Sequence, residues 1–344
     1  MTDRELIARR LAGQHLTAPT DTLTAAGDLC GIQSQFYPQA LHALRLRGGT
    51  GETEGLVKSW TLRGTLHLFP ERDLPLFLHA GRTPFLRPCD TLAGDEVVSE
   101  VRKAYFADCV LERLSAGPAL REELKAGCRA AGMTPEEEDH LFNAWGGLPR
   151  ALCEAGKICH AAQVGKVFRR CPDFIPLERD TARRELLRRY FAHYGPARLR
   201  DAAHFFGASQ RALTPLLPDL PLREETWRGE TWRGEAVFSL DAPQSPGAVP
   251  EVLLLAGFDP LLLGYDKRED PLLPESYRTR VYRPGGMLLS SVLLRGRIAA
   301  VWKRTGRSLA VTAFAPLSAA DRAAVESEAR RLFPELRTVT FPEG

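Results

Sequence analysis

The sequence lacks the features that define membrane and secreted proteins. In its 344 residues, no apolar run approaches the roughly 20 residues that are needed to span a bilayer. The longest candidate, residues 252–265, is interrupted by Asp259 and Pro260. The N-terminus predicts a charged helix rather than a signal peptide. These absences favour a cytoplasmic protein.

Cysteine is present, but not in a pattern that indicates disulfides or zinc. The seven cysteines are an odd number, and no C-x-x-C pair occurs, whereas disulfide frameworks and structural zinc sites use paired ligands. Cys153, Cys159 and His160 are the one cluster close enough in sequence to test as metal ligands. Their predicted helix-to-hairpin segment favours buried free thiols, so we expect no metal.

The common catalytic motifs are also missing. The sequence has no phosphate-binding P-loop, no nucleophile elbow, no H-E-x-x-H and no dinucleotide fingerprint. Its eight histidines are isolated from any convincing serine, cysteine or carboxylate arrangement. A kinase or a simple hydrolase is therefore disfavoured.

Charge is nearly balanced overall but unevenly distributed. The net charge is only +3, yet residues 278–307 contain eight basic side chains and no acidic one. Residues 31–51 also lack acids and include Arg45 and Arg47. Such segregation predicts a positive surface for nucleic acid on a near-neutral protein. Each stretch taken alone is equally typical of a solvated strand face.

A repeated order of elements indicates tandem winged-helix units. The first helix opens with a capping box from Thr2 to Glu5, two helices follow, and residues 59–68 alternate as in a β-hairpin. A helix, a Gly-Pro-Ala segment, another helix and an extended or hairpin-like stretch then recur twice. The two Gly-Pro-Ala segments are residues 117–119 and 195–197. In each we expect the proline to open the second helix.

After a stretch rich in proline and glycine, the pattern changes to strands. Residues 253–255 form a buried run, and Arg295-Gly296-Arg297 is a turn between two strand patterns. The sequence thus predicts an α+β protein in four parts. We expect winged-helix units over residues 1–105, 106–181 and 182–249, and a C-terminal β-domain over residues 250–344.

A direct duplication of E-T-W-R-G at residues 225–234 has two interpretations. Trp-Arg pairs on a hairpin stack on nucleobases. A local duplication that lengthens a surface wing explains the pattern equally well. We assign this segment no catalytic role.

Two glutamines lie at a junction between predicted helices. Gln33 and Gln35 fall between a helix that ends near Gly31 and one that begins near Pro38. Residues i and i+2 share one side of an extended segment, so both amides are expected to face one point. Amides at such a junction also bond the unpaired backbone groups of helix ends, and the residues alone favour that structural role.

Four segments resemble those of a known family. The W-T-L-R-G-T-L-H run at residues 60–67 closely resembles the first wing of the AlkZ/YcaQ family of winged-helix DNA glycosylases, and residues 31–35 resemble its Q-aliphatic-Q catalytic motif. Residues 256–268, with G-F-D-P-L-L-L-G-Y, and residues 288–304, with V-W-K-R, are also similar to the family. The matches span nearly the whole chain in the family's order. Ser34 stands where the motif usually has an aliphatic residue.

This resemblance implies three winged helices and a β-barrel-like C-terminal domain, together a C-shaped clamp around double-stranded DNA. It implies hydrolysis of the N-glycosidic bond of N7-alkylated purines, in some members including interstrand crosslinks, with Gln33 and Gln35 as the catalytic amides. An alkylated base departs neutral, so orienting a water and stabilising the sugar cation is sufficient. We therefore expect a monomeric, monofunctional enzyme with neither a metal nor an organic cofactor.

The expected DNA contacts are basic side chains and one histidine. Each is also consistent with a structural ion pair or a solvated side chain. They are Arg45, Arg63, His67, Arg280, Arg283, Arg295, Arg297, Lys303 and Arg304. Two other residues of the resembling segments, Asp259 and Tyr265, are expected to serve the architecture of the β-domain.

A non-catalytic winged-helix regulator is the alternative function. The predicted site holds no strong acid or nucleophile, which favours the regulator. The number of predicted units favours the enzyme, because a repressor usually needs one winged helix and a dimer interface.

Overall fold

The first helix begins at the predicted capping box. In the computed structural model, which describes residues 1–78, 85, 97–161, 165–227, 236–240 and 247–342, the Thr2 hydroxyl accepts a hydrogen bond from the Glu5 N–H, and the Glu5 carboxylate accepts one from the Thr2 N–H. These two bonds satisfy N–H groups that the helix itself leaves unpaired. The prediction of this helix is confirmed.

The described residues contain helices and strands in a mixed α and β arrangement. The helices are α1 Asp3–Gly13, α2 Thr22–Asp28, α3 Tyr37–Leu46, α4 Leu74–Phe77, α5 Glu100–Ser115, α6 Arg121–Ala130, α7 Pro135–Leu141, α8 Gly147–Glu154, α9 Arg179–His193, α10 Leu199–Phe206, α11 Gln210–Leu213, α12 Pro260–Leu263, α13 Arg278–Val281 and α14 Ala319–Leu332. The strands are β1 Ile32–Gln33, β2 Leu56–Trp60, β3 Leu66–Pro70, β4 Ala119–Leu120, β5 Ile158–His160, β6 Val167–Arg170, β7 Arg223–Glu225, β8 Val237–Ser239, β9 Val252–Leu255, β10 Tyr282–Arg283, β11 Met287–Leu288, β12 Ser291–Leu294, β13 Arg297–Thr305, β14 Ser308–Ala313 and β15 Thr338–Thr340. In these ranges, no helix combines the length and the apolar character that crossing a membrane requires.

Residue contacts group the chain into two units. Unit 1 comprises Met1–Thr53, Arg188–Phe205 and Ser209–Gly344, and unit 2 comprises Glu54–Leu187 and Phe206–Ala208. The N-terminal helices therefore belong to the same unit as the C-terminal strands. The four-part division of the sequence, the number of winged-helix units and the C-shaped clamp stay predictions.

The main sheet of unit 1 is open rather than barrel-like. Its five strands follow the order β15-β14-β13-β12-β9, antiparallel except for the parallel pair β14 and β15. Between β12 and β13, Arg295 and Gly296 both have positive φ, 48° and 85°, as in a type I′ hairpin turn. This hairpin was predicted and is confirmed. The β-barrel-like expectation is corrected: among the described residues, β15 and β9 remain edge strands.

Two hydrophobic cores explain why this sheet stays open. On β9, Leu253 and Leu255 pack into a core that includes Ile7 and Leu11 of α1. Val252 and Leu254 of the same strand join a second core with Val325 and Ala329 of α14. Because successive residues of a strand face opposite sides, helices cover both faces, and the sheet buries its apolar residues without closing on itself.

Unit 2 contains a sheet in which five strands follow the order β3-β2-β5-β6-β4. The hairpin of β2 and β3 pairs Trp60 with Leu66, which confirms a hairpin at this place. The predicted alternation through it is wrong, because residues 62–64 form a tight turn with Arg63 at φ 56°. Because of this turn, Thr61 and His67 do not lie on one polar face of a continuous strand. Both side chains are buried instead.

The two Gly-Pro-Ala segments occupy equivalent places, although not those predicted. Ala119 pairs with Phe168 of β6, and Ala197 pairs with Phe238 of β8. In both cases the alanine is extended and bound to a hairpin strand, and the helix begins only after it, in α6 and α10. The prediction that the proline opens the helix is therefore wrong. The internal repetition itself is supported by this shared pairing.

Only residues 225–227 of the duplicated E-T-W-R-G segment are among the described residues. Trp227 is 3% exposed, packs with Leu6 and Val237, and donates from its indole to Asp3 at 2.8 Å. This tryptophan is therefore a core residue and not a stacking platform. Residues 228–235, which contain the second tryptophan, lie outside the described residues.

Candidate active site

Gln33 and Gln35 lie on a short extended segment between α2 and α3. Cys30 and Gly31 have φ values of 56° and 85°, and these left-handed residues turn the chain sharply after α2. Beyond this turn, Gln33 Nε2 donates a hydrogen bond to Gln35 Oε1 at 2.7 Å. The structure therefore brings the two predicted amides together on one side of the chain.

The two amides differ in exposure. Gln33 is 9% exposed, whereas Gln35 is exposed. The residue that caps α3 is Phe36, and it makes no side-chain capping bond. The C-cap of α2 is made by backbone groups. An amide pair bonded to itself, with one buried and one exposed member, differs from the simple capping arrangement that the sequence also allowed.

Ser34 lies between the two glutamines and points inward. It is fully buried, and its hydroxyl has no hydrogen-bond partner among the residues that the structure describes. A buried hydroxyl without a partner destabilises a protein because it has lost its bonds to water. The environment of Ser34 thus suits the aliphatic residue that is usual at this position of the motif.

The G-F-D segment after β9 supports the glutamine segment. Gln39 of α3 accepts hydrogen bonds from the Gly257 N–H at 2.7 Å and from the Ser290 hydroxyl at 3.1 Å. The Phe258 ring stacks on the Phe36 ring, with centroids 5.3 Å apart. Phe36 follows Gln35 directly and remains 46% exposed, so the amides lie beside an accessible aromatic surface.

A buried ion pair ties α3 to the same segment. Asp259 caps α12 by accepting the Leu261 N–H, and its two carboxylate oxygens accept from Arg47 at 2.8 and 3.1 Å. Both side chains are fully buried. Arg47 also donates to the carbonyl of Ala43, and Gln14 connects it to the Tyr265 hydroxyl. The architectural role expected of Asp259 and Tyr265 agrees with these contacts.

Four of the predicted DNA contacts are exposed cations. In the described part of the chain, none of them forms an ion pair. These are Arg45, Arg283, Arg297 and Lys303. They come from α3, β10 and β13 of unit 1, and each is available to bind an anion.

Three other predicted contacts are engaged within unit 1. Arg295 pairs with Asp321 at 2.5 Å and with Glu251 at 3.5 Å, and Arg304 pairs with Glu335 at 2.5 Å. Arg280 donates to the carbonyls of Ala313 and Phe314 and lies over the Phe314 ring. The acid-free run at residues 278–307 is thus partly neutralised by acids from elsewhere in the sequence, which the expectation of a positive surface did not include.

Arg63 and His67 lie together in the hairpin turn of unit 2. His67 is 1% exposed, and its Nδ1 lies 2.9 Å from the Thr61 hydroxyl and 3.1 Å from the Thr65 carbonyl. Burial and the Arg63 charge lower the pKa of His67 to about 3. The ring is therefore neutral and part of the turn, so its placement does not support the predicted phosphate contact. Arg63 is partly exposed, so a phosphate contact at this residue stays a prediction.

Of the cysteines considered as metal ligands, Cys153 is a buried thiol and Cys159 forms a hydrogen bond with another cysteine. Burial raises the pKa of the Cys153 thiol, and a hydrogen bond with Cys171 lowers the pKa of Cys159. Cys159 thus interacts with a cysteine that lies outside the cluster considered from the sequence.

Comparison with known proteins decides between the enzyme and the regulator. Residues 27–334 match the model of the family described as DNA glycosylase AlkZ-like, a span that includes the glutamine segment, unit 2 and most of the five-stranded sheet of unit 1. The chain belongs to the AlkZ-like DNA glycosylase family. The AlkZ-like chain is therefore a DNA glycosylase that acts on DNA in repair, and the enzyme prediction is confirmed.

Relatives of this AlkZ-like chain match it over its whole length. It is 28% identical over 366 residues to the interstrand DNA cross-link repair glycosylase of Streptomyces sahachiroi. This alignment covers 95% of this chain and 94% of that protein. Its fold is similar to the solved structure of Streptomyces sahachiroi DNA glycosylase AlkZ, with a TM-score of 0.80, 24% identity and 100% of both chains covered.

Several residues of the site were not singled out from the sequence. Phe36, Gln39 and Arg47 all lie within 14 residues of Gln33 in the chain, but their partners are more than 200 residues away. Only the long-range fold reveals these contacts. The acid-free stretch at residues 31–51 was expected to give a positive surface, but Arg47 is fully buried and pairs with Asp259, so of its two arginines only Arg45 is exposed.

Proposed function

We propose that this AlkZ-like glycosylase removes N7-alkylated purines from double-stranded DNA, with Gln33 and Gln35 as its catalytic amides. The observation that carries the proposal is the amide pair itself. One amide is buried and donates to the other, which is exposed at the surface of unit 1. Two converging amides with different exposure suit a site where one group meets the substrate and the other fixes its orientation.

The chemistry requires little more than these groups. An N7-alkylated purine carries a positive charge while bound to its sugar, and it leaves as a neutral base. Protonation by a strong acid is therefore unnecessary. The enzyme has to hold a water against the sugar carbon and stabilise the positive charge that develops on the sugar, and correctly oriented amide oxygens do both. An undamaged purine, which leaves as an anion, is not activated in this way.

The hydrogen bond assigns different roles to the two amides. Gln35 Oε1 accepts from Gln33 Nε2, and a carbonyl oxygen has a second lone pair that can accept from a water. The bond from Gln33 also fixes the direction of that oxygen. We therefore assign to Gln35 the contact with the water and the sugar, and to Gln33 the orientation of Gln35.

The same exposure supports action on bulky lesions. The curated relative from Streptomyces sahachiroi is named for interstrand cross-link repair, and in this chain Gln35 and Phe36 are both accessible. An amide at the surface does not require the damaged base to enter a closed pocket of fixed size. We include interstrand crosslinks among the proposed substrates for this reason.

DNA binding is proposed to rest on the unpaired cations and on the winged-helix architecture. Exposed Arg45, Arg283, Arg297 and Lys303 are suited to phosphate contacts, and Arg63 adds a cation in unit 2. The shared pairing of the two Gly-Pro-Ala segments with hairpin strands supports the winged-helix interpretation of those repeats.

Single-turnover base release from DNA containing N7-methylguanine tests the catalytic amides. Gln33→Ala and Gln35→Ala should each reduce the excision rate, by on the order of 10²–10³ for loss of a well-placed electrostatic contact. DNA affinity should change little, because phosphate contacts supply most of it. Gln210→Ala, which removes an exposed glutamine of α11, is the matched control and should excise at the normal rate.

The alternative role makes the opposite forecast. If the amides only cap helix ends, their removal costs about 1 kcal/mol of stability and leaves excision intact. Melting temperatures measured on the same variants separate the two. Normal excision by the Gln33→Ala/Gln35→Ala double variant would end the catalytic assignment. Repeating the assay on crosslinked duplexes tests the bulky-lesion part independently.

A further inference from the structure

Three helix ends of unit 1 bring two histidines and an aspartate together. His15 follows the end of α1, Asp28 is the last residue of α2, and His193 is the last residue of α9. Each residue contributes one potential ligand atom, and these atoms all lie within 4.8 Å of one another. The three residues are separated by 13 and 165 positions in the chain, so no sequence motif marks the cluster.

The distances in the cluster are close to those of a ligand set. His15 Nε2 lies 2.9 Å from one oxygen of Asp28, and His193 Nε2 lies 3.5 Å from the other. The two imidazole rings are 5.4 Å apart between centroids. Tetrahedral Zn²⁺ with bonds of about 2.0–2.1 Å places its ligand atoms roughly 3.4 Å apart. Small side-chain movements would bring all three atoms to that spacing.

The tautomer of His193 gives the strongest reason to expect a cation. Its Nδ1 lies 3.0 Å from the Gly13 carbonyl oxygen, and a carbonyl only accepts, so Nδ1 carries the proton. In a neutral ring, Nε2 then presents a lone pair toward the Asp28 carboxylate, which also presents lone pairs. A positive group between these two acceptors, which lie 3.5 Å apart, would satisfy both of them.

A proton and a metal ion are the two candidates for that group. A backbone carbonyl bound to the second ring nitrogen is the usual arrangement around a histidine that binds a metal through the first. The observed contacts therefore favour a metal over a proton.

We propose that His15, Asp28 and His193 bind a divalent transition-metal ion, with Zn²⁺ as the reference ion. Two imidazoles and one carboxylate are ligands for ions of this class. The side chains are 16%, 29% and 23% exposed, which leaves room for a water as fourth ligand. Arg188 and Arg189 of α9 place positive charge nearby, so we expect moderate affinity rather than the very tight binding of an all-cysteine site.

The position of the site indicates what the ion does. Asp28 lies five residues before Gln33, and the Leu29 carbonyl between them accepts a hydrogen bond from Tyr194, the residue after His193. An ion at the cluster would join the ends of α1, α2 and α9 and so restrain the segment that leads to the two glutamines. Its role is to hold this segment in place, and it takes no part in base excision.

Metal titration of the full chain, first stripped with a chelator, tests the proposal. Isothermal titration with Zn²⁺ should show one ion per chain with a micromolar Kd, and Zn²⁺ should raise the melting temperature. Asp28→Asn, which keeps the shape of the side chain, and His15→Ala should each weaken binding at least tenfold and abolish the thermal shift. His204→Ala, an exposed histidine of α10, is the control and should bind normally.

Co²⁺ distinguishes this site from the cysteines. Binding at the cluster should give the visible absorption of a nitrogen- and oxygen-bound ion without the near-ultraviolet band of cobalt thiolate. The proposal is overturned if the wild-type chain binds no Zn²⁺ at 100 µM, if the cobalt spectrum is that of a thiolate site, or if Asp28→Asn and His15→Ala bind as the wild type does. Circular dichroism on each variant establishes that it is folded.

Discussion

At the scale of single residues, Ser34 shows how the fold constrains the glutamine segment. Its neighbours on either side bond to each other, while its own hydroxyl is buried with no partner in the described part of the chain. An apolar side chain would occupy the same place without leaving a polar atom unsatisfied.

Ser34→Ala is therefore expected to stabilise the protein by about 1 kcal/mol, since removal of an unsatisfied buried hydroxyl recovers its desolvation cost. Ser318→Ala is the opposite case, because the Ser318 hydroxyl accepts the Asp321 N–H at the start of α14. That variant should lose about 1 kcal/mol. Thermal unfolding of both measures the contrast, and a destabilised Ser34→Ala would show that the hydroxyl has a partner.

His67 links stability to pH. Burial, together with the Arg63 charge, lowers its pKa from 6.5 to about 3. Between roughly pH 6.5 and 3, the unfolded chain therefore binds a proton that the folded chain does not, and the free energy of unfolding falls as the pH falls through this window. His160 acts in the same direction, because burial lowers its pKa to about 3 as well.

Replacing His67 removes its share of this acid sensitivity. His67→Asn is uncharged in both states, so its loss of stability between pH 7 and pH 5 should be smaller than that of the wild type. Urea unfolding at the two pH values gives the comparison, with His204→Asn as an exposed control. Equal losses in His67→Asn and the wild type would contradict the assignment of a neutral, buried ring.

The sequence predicted single residues well where local geometry decides and poorly where distant partners decide. The convergence of Gln33 and Gln35 follows from their spacing on an extended segment, and it was predicted. The burial of His67 depends on a tight turn at Arg63, which period-two alternation does not reveal. The partners of Arg295 and Arg304 come from other elements, so the prediction from sequence overestimated how many of these cations are unpaired.

At the scale of elements, α3 is held by the loop between β9 and α12. Arg47 closes the C-terminal end of α3, Gln39 anchors its first half, and both side chains bind that loop. The helix next to the two glutamines is thus positioned from the far end of the sequence. The capping box at Thr2 and the hairpins were predicted because they are local, whereas this attachment was not.

The buried pair of Arg47 and Asp259 should behave as a unit. Asp259→Asn leaves the guanidinium charge buried and unpaired, which costs about 3–5 kcal/mol, and it should also slow excision because α3 loses its attachment. The Arg47→Met/Asp259→Leu double variant removes both charges and should be more stable than either single variant. Chemical unfolding of the wild type, Arg47→Met, Asp259→Leu and the double variant completes the cycle, and strictly additive losses would contradict a direct coupling.

At the scale of the whole molecule, DNA affinity should depend on which cations remain unpaired. Each phosphate that a cation neutralises adds about 0.9 to the slope of log K against log salt. Arg297 forms no ion pair in the described part of the chain, whereas Arg295, two positions earlier in the same hairpin, pairs with Asp321 and Glu251.

These two arginines form a matched test. Arg297→Ala should lower the salt slope by about 0.9 and weaken binding to undamaged DNA of any sequence. Arg295→Ala should change the slope much less, because its charge is already balanced. Fluorescence anisotropy over a series of salt concentrations measures both. A larger effect at Arg295 than at Arg297 would show that the intramolecular pairs open when DNA binds.

The path of the chain through unit 1 also affects how the enzyme is made. The apolar face of α1 packs with Leu253, Leu255 and Phe314, so during synthesis the first helix must wait for about 250 further residues before its partners leave the ribosome. The glutamine segment likewise depends on Gly257 and Phe258, which are synthesised more than 200 residues later. A prematurely terminated polypeptide therefore carries the two amides without their supports. An enzyme that cuts bases from the genome thus acquires its assembled site only after residues 257 and 258 have been synthesised.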